Sequence, residues 1–159
     1  MNARWILAPA LGLTLAVCAG CGGQPLAPKL PIHSPTAPDH IVLAGVPLAF
    51  TTHLWRDFMP FSPPDGRPLA AVFEVRSTDG SPLPSGLTIT GAGVYYQGES
   101  WVTTPEQVVT NDPSLAEAVS RGGPKWGPGV AVDVVVAVSL GGHQRTLMGA
   151  RDQLIGATY

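Results

Sequence analysis

One run, Val130 to Leu140, constrains this chain more than any other feature. Val130, Val132, Val134, Val136, Val138 and Leu140 share one side of an extended strand, because side chains alternate there with a period of two. β-branched residues at that spacing suit a pleated surface better than a helix. The other side holds Ala131, Asp133, Val135, Ala137 and Ser139, which is small and mostly apolar, so a central strand is expected. Gly141-Gly142 then supplies the positive φ angles of a tight hairpin, and the chain returns through His143 to Ala150. A plain two-residue loop would set Arg151 beside Val132 on the buried side. A bulge at Gly149 would avoid this, turning Leu147 and Ala150 inward and Arg151 to water.

The same alternation recurs upstream. Val46 to Trp55 sets Leu48, Phe50, Thr52 and Leu54 against Ala49, Thr51, His53 and Trp55. Leu69 to Arg76 does likewise, with Glu74 and Arg76 on the wet side. Leu87 to Thr90, Val94 to Tyr96, Ser100 to Thr103 and Leu154 to Tyr159 read as shorter strands, the last ending on a tyrosine expected to pack on a sheet edge. Nineteen glycines and seventeen prolines in 159 residues interrupt the chain too often for long helices. A single short helix is expected over Pro113 to Arg121, with Asp112 as N-cap and Gly122-Gly123 at its end. The expected fold is all-β: a two-sheet β-sandwich with one short helix, preceded by a signal peptide and a proline-rich linker. Its layout resembles an immunoglobulin-like domain. The cysteine pair and intervening tryptophan of that family are missing, so no function carries over.

The first twenty residues read as an export signal. One positive charge by Arg4, an apolar stretch from Trp5 to Val17 and small residues at Ala19 and Gly20 lead to Cys21. A helix over those thirteen or so residues spans about 20 Å, short of the roughly 30 Å hydrocarbon core of a bilayer. Cys18-Ala19-Gly20-Cys21 resembles the bacterial lipobox at its last three positions, with Cys18 where the family usually has leucine. The resemblance implies that Cys21 takes a diacylglycerol thioether and becomes the mature N-terminus of a lipoprotein of the cell envelope. Each buried methylene of such a chain contributes about 0.8 kcal/mol to membrane partition. Gly22 follows, not the aspartate that in this family retains lipoproteins at the inner membrane, which implies the outer membrane if the cell is Gram-negative. The alternative is ordinary cleavage after Ala19, which releases a soluble secreted or periplasmic protein. Cys18 and Cys21 are the only cysteines, so the body carries no disulfide.

From the cysteine onward, prolines at 25, 28, 31, 35 and 38 make residues 21–40 an extended spacer of about 3.1 Å per residue. The organisation is therefore signal peptide 1–20, lipidated cysteine and tether 21–40, and β-sandwich domain 41–159.

Charged residues make up 13% of the chain and the net charge is −2, with no basic run, so nucleic acid is not an expected partner. No Gly-x-Ser-x-Gly, Ser-x-x-Lys or His-Glu-x-x-His occurs, so no catalytic residue, metal ligand set or cofactor is assigned. The four histidines are never at ligand spacing. His53 with Met59 and Met148 would suit copper by donor type, and Asp133 sits where it must meet water or pair with Arg145 or Arg151. These residues support the alternative of a small envelope enzyme or metal-handling protein. The favoured reading is a non-catalytic one, a body that binds another envelope protein or a glycan or serves a structural role. Its candidate surface is Trp55, Arg56, Phe58, Met59, Trp101, Lys125 and Trp126, residue types enriched in binding interfaces. The tryptophans either stack on a ligand or extend a core without disulfides.

Overall fold

The computed structural model of the chain describes residues 36–159; the expected export signal, lipobox and most of the expected tether lie outside the described residues. Among the described residues every regular element is a strand: β1 His40–Leu43, β2 Val46–Asp57, β3 Leu69–Ser77, β4 Leu87–Tyr96, β5 Glu99–Thr103, β6 Glu106–Val108, β7 Leu115–Gly123, β8 Ala131–Leu140 and β9 Gln144–Thr158. The hydrogen-bonded order is β5-β4-β8-β9-β2-β3-β7-β6, with β1 beside β2. Only Thr104-Pro105 separates β5 from β6, the two ends of this path, so the sheet curls until its first and last strands are chain neighbours. Gln107 of β6 bridges the remaining gap. Its Nε2 donates to the carbonyl of Ile89 at 2.7 Å and its Oε1 accepts from the Ile89 amide at 3.2 Å, a side-chain rung on β4 beyond the reach of β5.

The valine strand lies between β4 and β9, as its two apolar sides require. Val132, Val134, Val136 and Val138 join Leu48, Phe50, Leu54, Phe73, Val75, Ile89, Val94, Met148 and Ile155 in one buried cluster drawn from both halves of the curl. Its outer side is covered as well, with Val135 and Ala137 buried beside Gly93 and Gly149.

The hairpin closes differently from expectation. Its loop is Gly141-Gly142-His143, pairing Leu140 with Gln144, so Met148 and Ala150 face the core and Leu147 the other side. The extra residue falls at Arg151-Asp152, where Asp152 takes φ 53°, and Arg151 is exposed. Beyond this bulge β9 pairs Gln153 and Leu154 with Val132 and Ala131 of β8, then runs parallel to β2, pairing Ile155–Thr158 with Leu54–Asp57. One strand thereby ties the two halves together. What reads as separate strands at 87–90 and 94–96 is one strand with an irregularity between Ile89 and Gly91.

The expected helix is absent: Pro113 and Ser114 form a turn and the residues from Leu115 onward form β7, paired on its two sides by β3 and β6. Asp112 does cap, but it caps a turn: its Oδ1 accepts from the Ser114 amide at 2.9 Å and from the Ser114 hydroxyl at 2.6 Å. The segment then extends because Ala118 and Ser120 are buried on alternate positions, and pairing on both edges outweighs the helix preference of a short alanine-containing stretch.

A matching turn stands beside it. Asp79 accepts from the Ser81 hydroxyl, the Ser77 hydroxyl and the Ser81 amide, and these donors hold its carboxyl at about 2 against a usual 3.8. A depressed folded-state value contributes stability above pH 3.8 that is lost as pH falls towards 2. A carboxyl carbon titration by NMR is expected to place the Asp79 midpoint near pH 2, and Ser81→Ala to move it up towards 3.8. An unmoved midpoint in the variant would contradict the assigned cause.

Residues ahead of Ile41 already belong to the body. The Asp39 carbonyl accepts from the Phe50 amide and the Pro38 carbonyl from the Gly149 amide, filling the fork where β2 and β9 diverge. A cleft of about 710 Å³ remains in that fork, lined by Thr36, Thr52, Arg151 and Gln153 among others.

Candidate functional site

β2, β4, β7 and β9 end, and β3, β5 and β8 begin, at the same end of the curled sheet. The two loops rich in aromatic and basic residues, 58–68 and 124–130, therefore meet there. Arg56 organises them. The inward side of β2 runs Leu48, Phe50, Thr52, Leu54, and one further step puts Arg56 on it, only 4% exposed. Its guanidinium donates to the carbonyls of Arg67 (3.0 Å), Lys125 (3.1 Å), Gly127 (2.8 Å) and Asp65, and its carbon lies 5.0 Å from the Phe58 ring centroid. A planar fork of five donors suits four carbonyls converging from two loops. Arg56 is a structural clamp and presents nothing to solvent.

The other candidates divide. Lys125 pairs with Asp65 across the two loops, which lowers the Asp65 carboxyl below its usual value. Phe58 lies under the turn at Gly66: that glycine has φ +74°, and a Cβ there would come within 2.6 Å of the Phe58 ring. Its other neighbour is Tyr159, which does not pack on a sheet edge but stacks on Phe58 with centroids 5.8 Å apart. Trp101 is half-buried over Gly123, where a Cβ would stand 2.7 Å from the indole. Trp126 donates its Nε1–H to Glu99 at 2.7 Å and leans on Tyr96. Trp101 and Trp126 both pack against the core. Met59 and Phe61 are left outward at the loop tip, 47% and 96% exposed.

Trp55 stands apart, on the outer side of β2 opposite Ala70. Its ring stacks on His53 at 5.4 Å, and it lines a shallow pocket of about 240 Å³ with Asp57, Arg67, Pro68, Ala70, Arg121 and Gly122. Arg67 reaches Asp57 at 3.4 Å and the Ser62 hydroxyl at 3.2 Å; Arg121 has no ion-pair partner among the described residues. An aromatic wall, two guanidinium groups and one carboxylate converge on one concavity.

The donors considered for copper do not converge. Met148 is fully buried in the core, whereas His53 is on the outer side of β2 and Met59 in the loop. Among the described residues no group of three His, Cys, Asp or Glu side chains could hold a metal ion. Asp133 has no arginine beside it: Arg145 and Arg151 are exposed, and its Oδ1 instead accepts from the Asp152 amide at 3.2 Å, capping the bulge. Asp133, Asp152, Glu99 and Tyr96 line a cleft of about 530 Å³. No helix among the described residues is long and apolar enough to cross a membrane.

No protein family, curated protein or solved structure matches the chain.

Proposed function

We propose that this chain is a lipid-anchored protein of a bacterial envelope whose β-body is a non-catalytic binding module, with the Trp55 pocket as its contact site. The observation that carries the reading is the pocket itself: an indole held in place by His53, with Arg67, Arg121 and Asp57 around it. Sugar rings stack on indoles through their C–H faces, and guanidinium and carboxylate groups suit hydroxyls and acidic substituents. A glycan therefore fits this pocket better than an apolar segment does. The chemistry-bearing residues elsewhere support the non-catalytic half of the reading, because Arg56 is bound by four carbonyls and Asp133 by a bulge amide. The body is best described as a sandwich, with β1, β2, β3, β6 and β7 facing β4, β5, β8 and the first part of β9 across the shared valine-rich core.

Binding of the purified full chain to immobilised envelope polysaccharides tests the pocket. Trp55→Ala is expected to weaken binding about tenfold or more, the loss of about 1.4 to 2 kcal/mol typical of an aromatic hot spot. Equal binding by wild type and variant would defeat it. Mass spectrometry of the mature N-terminus tests the anchor, with an unmodified Cys21 or a cut after Ala19 defeating that part.

A further inference from the structure

The Met59-Pro60-Phe61 tip projects two large apolar side chains from the loop-rich end, with Tyr159, 82% exposed, stacked on Phe58 behind it. The other exposed apolar residues lie on separate strands: Val42 on β1, Val102 on β5, Leu154 on β9, and Val108 with Val109 where β6 ends towards the opposite end. The tip is held in one shape. The Asp57 carboxylate accepts from the Met59 amide at 2.8 Å, the Met59 carbonyl from the Ser62 amide at 2.7 Å, and the Pro63 carbonyl from the Gly66 amide at 2.8 Å. Residues 58–64 carry no charge, and the flanking carboxylates of Asp57 and Asp65 already face Arg67 and Lys125. An apolar phase over this tip therefore strands no unpaired charge.

The direction of the chain says which apolar phase. β1 is antiparallel to β2, so moving back from His40 towards Thr36 runs along β2 from Ala49 towards Thr52, and thus towards the loop-rich end. From the level of Thr52 to the end of β2 at Asp57 is about 17 Å at ~3.3 Å per residue. The fourteen residues between Cys21 and Thr36 have a reach of up to about 50 Å, which is ample.

We propose that the Met59-Pro60-Phe61 tip contacts the bilayer in which Cys21 is anchored, seating the loop-rich end of the body on the membrane surface. The proposal rests on the lipid-anchor reading above. Phe61 and Met59 enter the boundary of headgroups and acyl chains, adding apolar area to the anchor. The Trp55 pocket, on the outer side of β2, faces along the membrane plane and stays open to a ligand.

The test is photocrosslinking of the full chain in its native membranes, with a benzophenone amino acid in place of Phe61 or, as a control, of Val109. Both positions are 96% exposed, so neither replacement disturbs the core, and a single unchanged thermal transition checks this. Phospholipid adducts at position 61 at least tenfold above those at position 109 are expected. Adducts at 61 to a second copy or to another protein, or equal lipid yields at both positions, overturn the proposal. The N-terminal mass from the same sample separates the two ideas. Acylated Cys21 without a lipid adduct at 61 overturns the tip contact and leaves the anchor. Unmodified Cys21 with that adduct overturns the anchor and leaves the contact.

Discussion

Arg56→Met is expected to destabilise the body by about 3–5 kcal/mol, because each buried hydrogen-bonding partner left unmade costs about 1–3 kcal/mol and water re-entry recovers only part. The methionine keeps an unbranched apolar stem and removes both the guanidinium that lies over Phe58 and the donors to Arg67, Lys125, Gly127 and Asp65. For a body of this size the loss corresponds to a fall in Tm of roughly 10–20 °C. The effect has a local signature too. Amides of 58–68 and 124–129 are expected to lose exchange protection before the rest of the sheet, since the guanidinium holds those two loops to β2. Arg56→Lys should recover little, because one ammonium has three donors on a flexible stem and cannot fork to four carbonyls. A fall below 1 kcal/mol for Arg56→Met would show that loop packing, not the clamp, holds this end together.

That clamp was within reach of the alternation in β2. Leu48, Phe50, Thr52 and Leu54 mark the inward side, and continuing the count by two lands on Arg56. Its charge argues for the surface, and only four carbonyls supplied by residues 9 to 71 positions away make its burial tolerable. The valine strand was legible because both of its sides are apolar, and β2 and β3 because theirs alternate cleanly. The strand at Leu115–Gly123 was not. Pro113 and Asp112 carry real capping chemistry, and a cap followed by alanines reads as a helix until β3 and β6 are known to flank it. Likewise the bulge fell at Arg151-Asp152, not at Gly149, because a three-residue loop had already shifted the register by one. Of the candidate surface, Trp55 and the Met59 tip remain outward, while Arg56, Trp101 and Trp126 are committed to the fold. Residue type alone does not separate these groups; the side of the strand each occupies does.

Phe73→Ala is expected to cost about 3–5 kcal/mol, since truncating a buried phenylalanine removes its transfer energy and leaves a cavity the core fills only in part. Phe73 is fully buried at the middle of β3, with Thr52 and Ala118 as its strand partners and the β8 valines in the same cluster. Its loss therefore bears on more than one half of the curl. β2, β3 and β7 meet β4 and β8 through this cluster, while the hydrogen-bonded links between halves include the short parallel pairing of β9 with β2, the Pro38–Asp39 segment between Gly149 and Phe50, and the side-chain rung of Gln107 on Ile89. If side-chain packing is what makes the halves cooperative, Phe73→Ala lowers the midpoint of denaturant unfolding and leaves one transition, with an m-value near that of wild type. Two fluorescence probes check this: variants retaining Trp55 on β2 or Trp101 on β5 as the reporting tryptophan should give coincident curves. Curves that separate, with the β2 reporter released first, would mean that the backbone pairing within each half outweighs the shared core.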